Sequence, residues 1–214
     1  MGFDVGSGLI TILIVGLIPF AAVMATSFTK IVIVFALLKN ALGIPQIPPA
    51  MVTNGLALIL SAFIMAPVLD KIYPSVTAQT NTRTNSVDAA RVFSDVREPL
   101  REFLSRHTTD DQRSFFMSSA TKIWPESMKV GLQNDHLMIL LPSFTVSEIN
   151  KAFKIGFVIY LVFVIIDMLV ANVLLALGMS MMQPTMISAP LKLLLFLAVD
   201  GWNRLVQLLV LSYQ

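Results

Sequence analysis

MVTNGLALILSAFIMAPVL, residues 51–69, runs its whole length without a charged side chain. A helix rises about 1.5 Å per residue, so this stretch alone nearly matches a bilayer core about 30 Å thick. The turn before it, GIPQIPPA (43–50), holds Pro45, Pro48 and Pro49, which make the connection stiff and non-helical. Ahead of the turn, Val5 to Leu38 is apolar apart from Lys30, with a kink or break expected at Gly16 and Pro19. Two apolar runs joined by a short turn read as a helical hairpin suited to a membrane.

Charge divides the rest of the chain sharply. Residues 71–154 carry 20 of the 28 charged side chains, and the other 130 positions share eight. The reading is an all-α membrane protein in three segments. A first hydrophobic helical hairpin covers 1–73, a polar, mainly helical insert covers 74–144, and a second hydrophobic hairpin covers 145–214. Together the hairpins supply four hydrophobic segments. Composition agrees, with 56% hydrophobic and 13% charged residues against about 45–50% and about 25% in soluble domains. The competing reading, an oily soluble helical protein, fits the run lengths poorly. A net charge of +2 gives no reason to expect nucleic acid as a partner. With no cysteine, the chain has no disulfide, thiolate metal site or cysteine nucleophile. The opening MGFDVGSGL lacks the basic start of a cleaved signal, so the N-terminus reads as a retained membrane helix.

Inside the insert, Phe93, Val96, Leu100, Phe103 and Leu104 recur at helical spacing, with Pro99 expected to start a new turn or helix. Thr109-x-x-Gln112 has the form of a capping box, and so does Thr145-x-x-Glu148, which is expected to open a long helix through about Leu177. Residues 75–86, rich in Thr, Asn and Ser, read as a mobile loop. His107 and His136 are isolated, expected to be solvated, and too few for a metal site. No phosphate-binding loop, nucleophile elbow or zinc-protease motif occurs. No catalytic residue, cofactor or metal is therefore assigned, and without a phosphate cradle the chain is not expected to hydrolyse ATP itself.

Charges inside apolar runs are the candidates that remain. Lys192, Asp200 and Arg204 interrupt the last run, Leu191 to Tyr213, and each costs about 2.5–3.5 kcal/mol at the centre of a lipid-exposed helix. That helix is expected to face protein or water. Asp167 and Lys192 stand at comparable distances from the turn between the last two segments, so an ion pair across the hairpin or between subunits is expected. Asp200 and Arg204, at i and i+4, can pair along one face. A small-solute transporter with Asp167 and Lys192 at its site is the alternative reading of the same residues. The turn itself, GMSMMQPTMISAP (178–190), is rich in methionine where a polar connection is the norm. Methionine packs into irregular gaps, so simple helix packing is its plainest explanation. The two hairpins share a plan, yet their residues do not align well enough to show a duplication. Lys30, Lys39 and Lys192 near the two turns place those turns towards the cytoplasm by the positive-inside tendency, which leaves the insert periplasmic.

Three blocks carry a family resemblance: SFTKIVIVFALLKNALGIPQIPPAMVTNGLALILSAFIMAPVLDKIY (27–73), LPSFTVSEINKAFKIGF (141–157) and LLALGMSMMQPTMISAPLKLLLFLAVDGW (174–202). Each resembles a segment of the type III secretion export-apparatus proteins called SctR, or FliP in flagella. The chain looks more like the virulence branch, since the flagellar one often carries a cleavable leader. The resemblance implies a non-enzymatic subunit of a helical pentamer in the bacterial inner membrane. That assembly includes a two-helix protein (SctS or FliQ) and a larger subunit (SctT or FliR), and unfolded proteins enter through it. Much of it is implied to stand above the lipid, on the periplasmic side. It also implies that Met179, Met181 and Met182 form a gasket across the lumen, with Ser180 interrupting a run that is unbroken in some relatives.

Overall fold

The computed structural model describes Gly16, Phe20 and residues 23–80 and 89–214, with side chains placed outside 74–94. Helices α1 (Phe28–Ala41), α2 (Ala50–Thr80), α3 (Ala89–His107), α4 (Asp110–Ile123), α5 (Glu126–Lys129), α6 (Leu137–Ala176), α7 (Thr185–Ala198) and α8 (Gly201–Leu211) follow in order. No strand occurs among the described residues. The chain divides into two compact units, Met1–Thr29 with Met65–Glu148, and Lys30–Ile64 with Ile149–Gln214. Helices α2 and α6 each give one end to either unit. Both helices run past boundaries of the three segments read from the sequence, α2 on to Thr80 and α6 from Leu137.

In the first unit the apolar stripe of α3 buries Phe103 and Leu104. The Phe103 ring lies 5.7 Å from that of Phe144 on α6 and 4.7 Å from the His107 imidazole. His107 is accordingly buried and not solvated as expected; its ring completes the aromatic stack. Pro99 lies inside α3 and starts no new helix. Its missing N–H falls on a partly exposed part of the helix. Thr109 does stand at the N-cap of α4, with φ −77° and ψ 144°, but its side chain makes no capping bond. The Ser147 hydroxyl of α6 accepts the Thr109 N–H at 3.1 Å and lies 3.0 Å from the Thr109 hydroxyl. Asp110 and Asp111 supply the favourable negative charge in the first turn of α4.

Helix α6 begins at Leu137, well before the expected start at Thr145. His136 accounts for the difference: its Nδ1 accepts the Met138 N–H at 3.2 Å, and its carbonyl accepts the N–H groups of Ile139 and Leu140. Thr145 then lies within the helix and donates to the Leu141 carbonyl at 2.9 Å. Helix α2 continues through Pro67 to Thr80, so residues 75–80 are helix and not loop, and 81–86 lie outside the described residues. The break expected at Gly16 and Pro19 falls on a stretch mostly outside them. A corner does interrupt the first run at residues 25–27, where the Thr26 and Thr29 hydroxyls both donate to the Val23 carbonyl.

Two helices are long and apolar enough to cross a membrane, Ala50–Tyr73 and Leu137–Ala176. Helices α7 and α8 together pass the same test but are bent by 65°. Among the described residues this gives two spans, or three if the bent pair is one; most of the first of the four hydrophobic segments lies outside them. At about 1.5 Å per residue α6 is about 60 Å long, twice a bilayer core. Its first half, which carries Glu148, Lys151 and Lys154, therefore stands outside hydrocarbon when the apolar second half is inside.

Candidate functional site: the methionine turn and its charged base

Leu177 and Gly178 end α6 in a way the residues themselves dictate. Gly178 adopts φ +72°, a left-handed conformation that glycine enters without a Cβ penalty. Its N–H donates to the Leu175 carbonyl at 3.0 Å, and the next N–H, of Met179, donates to the Leu174 carbonyl at 2.9 Å. These two bonds form a Schellman cap, which satisfies carbonyls that a helix end would otherwise leave bare. The chain then turns through Ser180, Met181 and Met182 until Pro184 at the N-cap admits α7. Met181 is fully exposed and Met186 is 71% exposed, so the described residues do not cover them. Residues Met179, Met181, Met182 and Met186 line an open concavity with Ser180 and Gln183.

Beneath the turn sits the charged group. Lys192, on α7, is 4% exposed. Its ammonium donates to Asp167 Oδ2 on α6 at 2.5 Å and to the Ala41 carbonyl at the end of α1 at 3.0 Å. The second bond completes the accounting for the last turn of α1. The Leu38, Lys39 and Asn40 carbonyls accept from Leu42, Ile44 and Gly43, and Ala41 is the remaining acceptor. A cation at a helix C-terminus also meets the negative end of the macrodipole. One ammonium thus ties three helices together. Asp167 Oδ1 and Ser188 Oγ, one turn before Lys192, are buried without a partner.

Asp200 and Arg204 behave differently. Both are exposed, and no ion pair joins them. Asp200 takes φ 53° and ψ 46°, which creates the corner between α7 and α8, and both its carboxylate oxygens accept from Asn203 Nδ2 at 3.0 and 2.9 Å. The expected buried pair along one helix face fails because Asp200 stands in the bend and not in the helix. The corner is packed by rings: Phe196 lies 5.6 Å from Trp202, and Trp202 lies 5.9 Å from Phe35. Gly201 is needed there, since a Cβ would meet the Phe196 ring at 2.2 Å.

Sequence reasoning missed two features of this unit. Gly156 of α6 presses on α1 so closely that a Cβ would lie 2.2 Å from Leu37 Cδ1, and Ala152 one turn earlier is fully buried. The small-x-x-x-small spacing of Ala152 and Gly156 was a legible signal for that approach. Lys30, read as a lone charge in an apolar run, is buried with its ammonium 3.4 Å from the centroid of the Tyr213 ring.

The sequence profile of the FliP family matches residues 9–209. The chain is 47% identical to the "Pathogenicity-related ORF2" protein of Xanthomonas campestris pv. glycines, over 99% of this chain and 98% of that one. It is 45% identical to the "Hypersensitivity response secretion protein HrcR" of Ralstonia nicotianae, over 94% and 93%. With the "Yop proteins translocation protein R" of Yersinia pestis the identity is 47%, over 96% and 94%. Likeness along nearly the whole length settles the membership: the chain belongs to the FliP family, on the branch of the type III secretion export-apparatus proteins of virulence systems, which are structural components and not enzymes.

Proposed function

We propose that this protein builds the wall of the export gate through which unfolded proteins leave the cytoplasm, with Met179, Met181 and Met182 closing the passage at rest. The observation that carries this reading is the exposure of an apolar turn on a fixed base. A fully exposed Met181, with the partly exposed Met179 and Met182 beside it, stands on a capped helix end braced by Lys192 and Asp167. A passage for chains of arbitrary sequence needs a lining that repacks around varied side chains, and unbranched, polarizable methionine does so. An apolar constriction also excludes ions by dewetting. Five copies around one axis, joined by SctS-like and SctT-like subunits, would set fifteen such side chains at one level.

The exposed faces of the long helices fit the same reading. Leu58 and Phe63 on α2, and Phe157, Leu161 and Leu169 on α6, lie open in the single chain and suit lipid or neighbouring subunits. We place the assembly in the inner membrane, with the polar insert periplasmic. The lysines behind that orientation are, however, engaged within the protein: Lys30 on Tyr213, Lys39 on the Pro48 carbonyl and Lys192 on Asp167. Nothing favours the transporter alternative, because the Lys192 ammonium already has Asp167 and Ala41 as partners.

The test is ion or small-dye flux through cells or reconstituted complexes, read beside secretion of a native substrate. Replacing Met179, Met181 and Met182 together by Ala should raise resting leak. Replacing them by Leu should keep the passage dry but slow secretion, since Leu is branched and repacks less freely. A triple-Ala complex that assembles normally and stays as tight as the parent would refute the gasket.

A further inference from the structure

The two hairpin turns are built alike. Each opens on Ala-Leu-Gly, at 41–43 and at 176–178, and each reaches a proline just before the next helix, Pro49 and Pro184. Their backbone hydrogen bonds coincide in one register. Gly43 donates to Asn40 and Ile44 to Lys39, as Gly178 does to Leu175 and Met179 to Leu174. Ile47 donates to Ile44, as Met182 does to Met179. Val52 and Thr53 both donate to the Pro49 carbonyl, as Ile187 and Ser188 do to that of Pro184. Both glycines are left-handed, with φ +77° and +72°. In this register Met51 corresponds to Met186, Val52 to Ile187, Thr53 to Ser188, and Ile47 to Met182. A likeness that the side chains hide in the sequence is explicit in the backbone.

The two turns also belong together. A Cβ on Gly43 would touch that of Ala189 at 3.5 Å, and Lys192 holds the Ala41 carbonyl. Exposure is high at both members of one pair, Met51 at 88% and Met186 at 71%, while Ile47, at 64%, is more open than Met182 at 39%. What differs is stiffness. The first turn has prolines at 45, 48 and 49, which fix φ, and a β-branched Ile47; the second has methionines with three rotatable bonds each. A compliant seal closes best against something that does not yield.

We propose that the first turn is the rigid half of the same constriction, with Ile47 and Met51 facing the passage and touching the unfolded chain that moves through it. This rests on the gate reading above, and the experiment separates the two. The protein has no cysteine, so Met51→Cys, Met181→Cys and Leu58→Cys each create its sole thiol, at exposed positions. In the assembled apparatus, a secreted substrate carrying one cysteine and fused to a domain too stable to unfold would be stalled in transit and oxidised. Disulfide yield at 51 should be comparable to that at 181, and roughly tenfold above that at Leu58 on the flank of α2, because tethered thiols react in proportion to effective concentration. Capture at 181 without capture at 51 would overturn the inference and leave the gate reading standing. Capture at neither position, while the substrate is demonstrably stalled, would overturn both.

Discussion

Helix α6 is one continuous helix that meets its neighbours in two different ways. Its first half meets α4 through hydroxyls, with Ser147 accepting from the Thr109 N–H and Ser143 donating to the Gln112 carbonyl at 3.3 Å, and meets α3 through the rings of Phe144 and Phe103. Its second half packs through bare backbone and rings, with Gly156 against Leu37 and Phe163 near Phe196, and carries one charge, Asp167. The small residues serve close approach in both halves. The difference lies in how polar groups are treated. In the first half several modest hydrogen bonds share the work, and each contributes about 1 kcal/mol net. Where the surroundings are apolar, one concentrated ion pair does so, and losing half of it is expensive.

The largest effect expected from that contrast is at Lys192. Lys192→Met removes the ammonium from Asp167 and from the Ala41 carbonyl together. Asp167 Oδ1 already lacks a partner, so the carboxylate would be stranded, at a cost of about 3–5 kcal/mol. Thermal unfolding of the detergent-solubilised protein should show the loss. Adding Asp167→Asn should recover much of it. Strictly additive losses would mean that the two side chains do not cooperate. Ser147→Ala, on the polar half, should cost only about 1 kcal/mol, since Thr109 lies at an exposed helix start and finds water instead. A Ser147→Ala loss as large as that of Lys192→Met would erase the distinction between the two seams.

How much of this was legible follows the same line. The apolar runs and their turns were readable because run length and proline act locally. Asp167 and Lys192 could be linked because a hairpin fixes their relative depth. Where a distant segment competes with a local rule, the reading fails. Thr109 looked like a capping residue and gave its hydroxyl to Ser147. Thr145 looked like a helix start, but His136 caps the helix earlier. His107 looked like a surface histidine and joined a ring stack. The likeness of the two turns escaped because backbone conformation repeats where side chains do not: only glycine, proline and a few neighbours betray it. Exposure of Met181 was outside sequence reach altogether, since it depends on what the rest of the chain leaves uncovered.

The smallest effect tests whether the polar unit answers to pH as its surface charge implies. Lys71, near the end of the apolar part of α2, donates to Glu102 Oε2 on α3 at 2.5 Å, and both side chains are largely exposed. That hydrogen bond, with the Lys71 charge behind it and a weaker pull from Arg106, holds the Glu102 carboxyl below the usual glutamate range against a small opposing push from burial. The folded protein therefore binds this proton less tightly than the unfolded chain does. The stabilisation is complete above the unfolded pKa and disappears as pH falls through the lowered folded value. Because the pair is exposed, salt screens it and its contribution stays small. Glu102→Gln should leave the melting temperature nearly unchanged at neutral pH and flatten its decline in acid, and added salt should mimic the substitution. If the variant keeps the parent's full acid sensitivity at low salt, the Lys71 contact does not persist in solution. The ion pair at Lys192, whose ammonium is buried while the Asp167 side chain is about a third exposed, should by contrast respond less to ionic strength.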